Sequence, residues 1–172
     1  LNAKLPYHPV NDFTPITQLT SAGFLLVVNP STPVTNLKEF VDWTRSYKGA
    51  LNFGSAGLGS GGHLAGELYN LMAGVKAQHI PYTGAPPLVT AFAGGQVQMA
   101  FVTGLDGAAM VQAGKIRYLA VASPKRTPVL PDLPAIAEAV PGFQAVVWFG
   151  VLAPAGVPDP VAQKLSSTIA AA

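Results

Sequence analysis

The chain alternates along most of its length between short apolar segments and amphipathic segments that end at glycine or proline, and this pattern limits its fold more than any other feature. Strands are predicted over residues 14–19, 24–28, 51–55, 78–81, 97–102, 117–123 and 145–152. Helices are predicted between most of these strands and again from Asp159 onward. Because parallel strands need a crossover between them, this order predicts an α/β fold with mainly parallel sheets and flanking helices.

The composition narrows the function classes that remain open to such a fold. Hydrophobic residues make up 49% of the 172 positions, which is ample for a buried core. Ten Lys and Arg stand against eight Asp and Glu without forming a basic stripe, so nucleic acid is not an expected partner. The chain has no cysteine, which excludes disulfides and cysteine-bound zinc, and no apolar run approaches the roughly 18 to 20 residues that span a bilayer.

The most distinctive segment joins the strand at residues 51–55 to a helix through residues that are nearly all small. It reads Gly-Ser-Ala-Gly-Leu-Gly-Ser-Gly-Gly-His-Leu over residues 54–64. Glycine lets backbone N–H groups approach a ligand closely, and the N-terminus of the following helix adds a partial positive charge. The segment therefore predicts an anion-binding loop.

Two further loops of small or polar residues follow predicted strands. They lie at residues 82–84, after the strand at 78–81, and at residues 103–104, after the strand at 97–102. The carboxyl ends of parallel strands meet at one edge of the sheet, where ligands of α/β proteins bind. We therefore expect the loops at 55–60, 82–84 and 103–104 to form one site.

A dinucleotide-binding enzyme is one alternative for the glycine loop. Gly57, Gly59 and Gly62 match the G-x-G-x-x-G spacing between a strand and a helix. That fingerprint also needs an acidic residue about 20 positions later to bind the ribose hydroxyls, and this chain has Gln78, His79 and Tyr82 in that region. The match is therefore weak.

A serine hydrolase is the second alternative, with Ser55 or Ser60 as nucleophile and His63 or His79 as base. The nucleophile-elbow pattern G-x-S-x-G fails at its first glycine, where Phe53 stands. No carboxylate has the obvious place of an orienting group, which disfavours a triad. The loop can also be no more than a tight turn in which Ser60 caps a helix.

The residues also carry a resemblance to a known family. The matching segments run in order along the chain at residues 51–60, 63–68, 79–84, 93–97, 113–121, 130–134 and 148–156. They are similar to the Bug family, the solute receptors of tripartite tricarboxylate transporters. The resemblance covers essentially the whole chain and implies a receptor rather than an enzyme.

The family resemblance implies a type II periplasmic-binding-protein fold, in which two α/β lobes joined by crossover strands close on a ligand. In this chain it implies crossover strands at residues 24–29 and 118–123 and one lobe between them, at residues 30–117. The other lobe is represented in part, by residues 1–23 and 124–172. Family members have an N-terminal strand and C-terminal helices beyond these segments, so the chain is interpreted as a fragment.

The resemblance also implies a set of ligand-binding residues. They are Ser55, Gly57, Gly59, Ser60, His63, Thr83, Gly84 and Thr103. The donors are hydroxyls and backbone amides, because the three loops contain no Arg or Lys. His63 is expected to be neutral, since the positive end of the helix dipole disfavours an imidazolium. No catalytic residue, cofactor or metal is expected.

The implied ligand is a small carboxylate, which can be a dicarboxylate, a tricarboxylate, an amino acid or an aromatic acid. The implied partners are the membrane subunits of a transporter, and the implied location is the periplasm. All three expectations come from the family resemblance alone.

Overall fold

The structure is a computed structural model in which residues 4–171 are described. It divides into two compact units. One contains the described residues up to Ala22 together with Trp148 onward, and the other is the continuous segment Gly23–Val147. Each unit is described by itself.

Secondary structure follows the predicted alternation closely. Among the described residues the strands are β1 (Phe13–Gly23), β2 (Leu25–Val28), β3 (Asn52–Ser55), β4 (Gln78–Pro81), β5 (Met99–Val102), β6 (Arg117–Val121) and β7 (Val146–Pro154). The α-helices are α1 (Leu37–Ser46), α2 (Gly61–Ala73), α3 (Ala85–Ala93), α4 (Gly104–Gln112) and α5 (Asp159–Ala170). The short helix predicted at residues 134–140 is only a 3₁₀ turn, Ile136–Glu138.

The larger unit is built on a five-stranded sheet with the order β4-β3-β5-β2-β6. Strand β3 pairs in parallel with both β4 and β5, whereas β2 pairs antiparallel with β5 and β6. Four strands therefore run in one direction and β2 runs against them. The expectation of a mainly parallel sheet is confirmed, but α1 does not form a parallel crossover, because alternation favours parallel pairing without fixing the direction of each strand.

Both faces of this sheet are covered. Strand β2 sends Leu26 and Val28 into one cluster of buried apolar side chains and Leu25 and Val27 into another, as the two-residue period of a strand requires. All four side chains are buried. Asn36 and Glu39 have the spacing of a helix N-cap in the sequence, and helix α1 begins there: the side chain of Asn36 accepts a hydrogen bond from the backbone N–H of Glu39 at 2.9 Å.

Helix α2 packs through a face that the sequence pattern does not predict. Its leucines are spaced as an apolar stripe, yet Leu64 and Leu71 are 56% and 80% exposed. The buried positions are instead Gly62, Ala65, Gly66, Tyr69 and Ala73. Small residues on this face let the helix backbone approach the sheet closely, and packing distance rather than side-chain hydrophobicity decides the orientation.

The smaller unit contains β1 up to Ala22, β7 from Trp148 onward and α5, and β1 pairs with β7 in a two-stranded sheet. The predicted crossover segments 24–29 and 118–123 contain β2 and most of β6, which are neighbours in the sheet of the larger unit. The division into lobes remains a prediction for a longer protein, and its outermost residues, 1–3 and 172, lie outside the described part of the chain.

Candidate functional site

Three helices of the larger unit begin at the same edge of the sheet. Strands β3, β4 and β5 run in parallel, so their carboxyl ends share this edge. The first helical residues after them belong to α2, α3 and α4. The sheet therefore places three helix N-termini, each with partial positive charge and free N–H groups, around one region.

A cleft of about 230 Å³ lies in this region. Its wall combines the beginnings of the three helices with apolar side chains from the sheet and α3. The lining residues are Phe24, Ala56, Ser60, Gly61, Gly62, Ala85, Leu88, Phe101, Val102, Thr103, Asp106 and Val147. Asp106 is the one charged residue among them, so the cleft offers an anion hydroxyls and backbone amides rather than a Lys or Arg.

The α2 side of the cleft presents Ser60, Gly61 and Gly62. Ser60 is the N-cap of α2, and its side chain accepts a hydrogen bond from the N–H of His63 at 3.3 Å. Gly61 and Gly62 are the first two helical residues, whose N–H groups have no acceptor within the helix. These two amides are therefore available to an anion in the cleft.

Both of these glycines are also required by packing. A Cβ built on Gly62 would lie 2.5 Å from the carbonyl oxygen of Phe101, and one built on Gly61 would lie 2.4 Å from the ring of Phe24. The beginning of α2 is thus pressed against the end of β5, which fixes where its amides point.

The α4 side of the cleft presents Thr103 and Asp106. Thr103 is the N-cap of α4: its Oγ1 accepts a hydrogen bond from the N–H of Asp106 at 3.3 Å and donates one to Oδ2 of Asp106 at 2.7 Å. The carboxylate of Asp106 thus already occupies the positive end of α4. An added anion is therefore directed toward α2.

Ser55 lies beneath the loop rather than in the cleft. It is fully buried, and its Oγ contacts Nε2 of His79 at 2.7 Å and the carbonyl oxygen and N–H of Gly57 at 3.0 and 3.2 Å. Its side chain fixes the turn at Gly57, which has a φ of 141° that favours glycine. Neither Ser55 nor Gly57 lines the cleft.

Gly59 and His63 are paired with each other. The N–H of Gly59 donates to Nδ1 of His63 at 3.0 Å, so this amide is used inside the loop. The imidazole of His63 stacks on that of His79 with ring centroids 3.9 Å apart, and its Nε2 lies 3.8 Å from Oε1 of Glu67. Nδ1 can accept this hydrogen bond only while it carries no proton, and the neutral form of His63 stays a prediction.

His79 lies between Ser55 and His63. Burial, together with the neighbouring His63, lowers the pKa of His79, and the carboxylate of Glu67 opposes this effect. The neutral form of His79 is therefore favoured. The sequence suggests His79 only as a catalytic base. In the structure it lies in β4, paired with Phe53 of β3, where it supports the loop.

The remaining predicted residues divide into two groups. Thr103 lines the cleft together with Ser60, whereas Thr83 is exposed and Gly84 is the N-cap of α3 with a φ of 107°. Of the α3 end, it is Ala85 that lines the cleft. The predicted set of ligand-binding residues does not include Gly61, Gly62 or Asp106, although the N-cap signal at Ser60 identifies Gly61 and Gly62 as the first helical residues.

The pair formed by Ser55 and His79 has the spacing of a nucleophile and its base, but its surroundings do not suit catalysis. The hydroxyl of Ser55 is fully buried and is engaged by both backbone groups of Gly57. A nucleophile must reach its substrate, so this dyad stabilises the loop instead. Within residues 4–171 no cluster of three or more His, Asp or Glu side chains has the arrangement of a metal site.

None of the helices in the described part of the chain combines the length and the apolar character needed to cross a bilayer.

Comparison with known proteins identifies one family model that matches residues 1–172, described as the tripartite tricarboxylate transporter family receptor. A protein from a Pseudomonas species, described as a UPF0065 protein in the tcbD-tcbE intergenic region, is 35% identical over 96% of this chain and 50% of its own length. This chain thus spans about half the length of the curated relatives that it matches.

Solved structures give the same result for the fold. R. palustris Rpa4515, described with adipate, superposes with a TM-score of 0.88 at 38% identity over 98% of this chain and 57% of its own. MatC from Rhodopseudomonas palustris, described with bound malate, superposes with a TM-score of 0.81 at 34% identity over the same shares. The predicted α/β fold of periplasmic binding proteins is confirmed, and the matched proteins are receptors rather than hydrolases or dinucleotide-binding enzymes.

Proposed function

We propose, because this chain belongs to the tripartite tricarboxylate transporter receptor family, that the full-length protein is a periplasmic receptor that binds a small carboxylate and delivers it to a membrane transporter. In this proposal the larger unit of the chain supplies one side of the binding site. The rest of a protein about twice as long supplies the other side.

The observation that carries the proposal is the convergence of α2, α3 and α4 on one cleft. The N-termini of α2 and α3 provide partial positive charge without a Lys or Arg among the lining residues, while the carboxylate of Asp106 occupies the N-terminus of α4. Such a site suits a carboxylate, which can accept several amide and hydroxyl hydrogen bonds and does not need an ion pair. It suits a phosphate less, because a doubly charged anion gains more from a cationic side chain.

We assign the ligand carboxylate to the beginning of α2. There the N–H groups of Gly61 and Gly62 are free of intrahelical acceptors and the hydroxyl of Ser60 lines the same wall. Phe24, Leu88 and Phe101 supply an apolar surface for the body of the ligand. The adipate and malate described with two structural neighbours are dicarboxylates and belong to the class proposed for this protein.

Asp106 determines which way a bound carboxylate is oriented in the cleft. Its carboxylate lines the α4 side, where a second anionic group would be repelled. The part of the ligand that faces Asp106 therefore carries a hydrogen-bond donor or is solvated, and one carboxylate of the ligand faces α2. Closure of the second lobe would exclude water and strengthen each of these hydrogen bonds, and the closed form is the one that transporter subunits would recognise.

The test is a change of charge at Ser60 that leaves the helix intact. Aspartate is as good an N-cap as serine, so Ser60→Asp keeps α2 capped while it places a negative charge where the ligand carboxylate binds. Two like charges about 4 Å apart near a protein surface repel by about 4 kcal/mol, which raises Kd roughly a thousandfold. Ser60→Ala removes one hydrogen bond to the charged carboxylate and is expected to weaken binding by about 1.5 to 3 kcal/mol.

Isothermal titration calorimetry of the full-length protein against adipate, malate, citrate and glutamate measures both effects. Asn36→Asp is the matched control, since Asn36 is the N-cap of α1, whose beginning does not line the cleft. The control is expected to bind as the wild type does. If Ser60→Asp bound the same carboxylate with wild-type affinity, the assignment of the anion to the beginning of α2 would be wrong.

A further inference from the structure

The beginning of α2 contains a reciprocal pair of hydrogen bonds that differs from the common one. Ser60 Oγ accepts from the N–H of His63 at 3.3 Å, and Nδ1 of His63 accepts from the N–H of Gly59 at 3.0 Å. In a capping box, the residue three positions after the N-cap serine is a Glu or Gln whose side chain accepts from the N–H of the N-cap itself. In this chain a histidine fills that position and accepts from the amide one residue earlier.

The replacement has a chemical consequence. A Gln side-chain oxygen accepts a hydrogen bond at any pH, whereas a histidine nitrogen accepts only while it is unprotonated. Protonation of His63 at Nδ1 turns the acceptor into a donor that faces the N–H of Gly59. The contact that holds Gly59 is then lost, and two N–H groups point at each other.

His63 and His79 together hold both ends of the turn before α2. One tautomer satisfies every contact of Ser55: Nε2–H of His79 donates to Ser55 Oγ, which also accepts from the N–H of Gly57 and donates to the carbonyl of Gly57. Ser55 and His79 thus hold Gly57, while His63 holds Gly59. The stacked rings, 3.9 Å apart, connect the two anchors.

We infer that His63 is a positioning residue of the ligand cleft: its unprotonated Nδ1 fixes Gly59 and thereby Ser60 and the amides of α2, so that protonation of His63 weakens ligand binding. The inference rests on the proposed function, because it assigns those amides to a carboxylate. Neither His63 nor His79 lines the cleft, so their effect on a ligand passes through the loop.

The groups that face His63 are few. Glu67, on the same helix, has Oε1 3.8 Å from Nε2, and His79 on β4 stacks against the ring. Strand β3 contributes Phe53, stacked at 6.4 Å, and Ser55, neither of which titrates near neutral pH. Burial, followed by the neighbouring His63, lowers the pKa of His79, and Glu67 opposes this effect, so a second charge in the stack is disfavoured.

Protonation also has an opposite, direct effect, since a cation near the cleft attracts an anion. His63 contacts the loop through a hydrogen bond but does not line the cleft. Solvent therefore screens the attraction between a protonated His63 and an anion in the cleft. Loss of a helix-capping contact is the larger effect. On this argument Kd rises by about fivefold to tenfold as the pH falls from about 7.5 to about 5.5.

The experiment is calorimetric titration of the full-length protein with adipate, malate, citrate and glutamate at both pH values, for wild type, His63→Gln and His63→Ala. His63→Gln places an acceptor that cannot titrate where Nδ1 of His63 accepts from Gly59, so it is expected to retain the neutral-pH affinity and to lose the extra pH dependence seen in the wild type. His63→Ala is expected to bind weakly at both pH values. Any titration of the ligand itself cancels in the comparison between wild type and His63→Gln.

His8→Gln is the matched control. Nδ1 of His8 also accepts a backbone N–H, from Asn11 at 3.0 Å, but His8 belongs to the smaller unit and to none of the predicted ligand loops. It is expected to show the wild-type pH profile. In the wild type, the NMR signals of the Gly59 and Ser60 amides are expected to shift together with the titration of the His63 ring, a measurement that needs no variant.

Three results would overturn the inference. One is a pH profile of His63→Gln that equals that of the wild type, and another is binding that strengthens in acid, which would indicate simple attraction. A third is a Gly59 amide signal that does not respond when His63 titrates. If the wild type binds no carboxylate at either pH, the proposed function itself fails and the inference falls with it.

Discussion

Replacing Gly66 with alanine tests the close packing of α2 on the sheet, because sequence and structure predict opposite results. Gly66 lies in the interior of α2, where alanine is favoured over glycine by about 1 kcal/mol. From the sequence alone, Gly66→Ala should therefore stabilise the protein. In the structure, a Cβ on Gly66 would lie 2.1 Å from Cε2 and 2.4 Å from Cδ2 of Phe53.

The size of the effect follows from how little Phe53 can move. Its ring is fully buried and also packs against His79, with centroids 4.9 Å apart. An ordinary carbon contact is about 3.5 to 4.0 Å, so either the helix or the ring must shift by more than 1 Å. Overpacking of a core costs about 1 to 3 kcal/mol, and the upper end applies to so close a contact. After the gain in helix propensity, we expect a net loss of about 2 kcal/mol.

Urea unfolding of the 172-residue chain, followed by circular dichroism, measures this difference. Gly104→Ala is the control, since Gly104 is also helical and a Cβ there would meet nothing within 4 Å. The double variant Phe53→Leu with Gly66→Ala should lose less free energy of unfolding than the sum of the single variants, because the smaller side chain makes room for the methyl group. A stabilised Gly66→Ala protein would refute the packing argument.

Two further predictions concern the pH dependence of stability. Burial raises the pKa of Tyr69 to about 12, so the contribution of its neutral phenol is present below the ordinary value of 10 and is lost as the pH rises from 10 through 12. Burial also raises the pKa of Tyr82 and Tyr118. Ultraviolet titration should show a tyrosine that ionises near 12, and Tyr69→Phe should remove it together with the 2.8 Å contact with Thr44. The guanidinium of Arg126 and the N–H of Ala135 lower the pKa of Glu138 to about 2. The stabilising effect of the Glu138 carboxylate is therefore present above pH 4.5 and is lost as the pH falls from 4.5 toward 2. In an acid titration followed by circular dichroism, Glu138→Gln should lack this loss of stability. A tyrosine titration without a group that ionises near 12, or an unchanged acid profile, would contradict them.

The positions of the elements were largely predictable from the sequence. Apolar runs, glycine stops and the N-cap signals at Asn36 and Ser60 place most strands and helices within a few residues of their observed ends. These signals are local, since caps and helix stops depend on residues three or four positions apart. The family resemblance predicted, beyond the α/β fold class, that the chain belongs to a family of transporter receptors, and the family match confirms this.

The orientation of α2 was not predictable in this way. Its leucine stripe has the regular spacing of a buried face, yet Gly66 and Ala65 face the sheet, because the fully buried ring of Phe53 leaves no room for a larger side chain above it. The position of Phe53 depends on the pairing of β3 with β4 and β5. Contacts between residues far apart in the sequence override the local pattern.

The candidate site, too, was predictable in its local features but not in its long-range contacts. The sequence by itself determined that a glycine-rich loop precedes a helix N-terminus and that an anion is the natural ligand, because backbone geometry and the helix dipole are local properties. Only the tertiary structure decided which of these groups are free to bind. Ser55 is buried, and the amide of Gly59 is bonded to His63. Ser60, Gly61 and Gly62 lie on the wall of the cleft. The physical reason is that each donor can be satisfied once, and only the folded chain shows which donors the protein has already used.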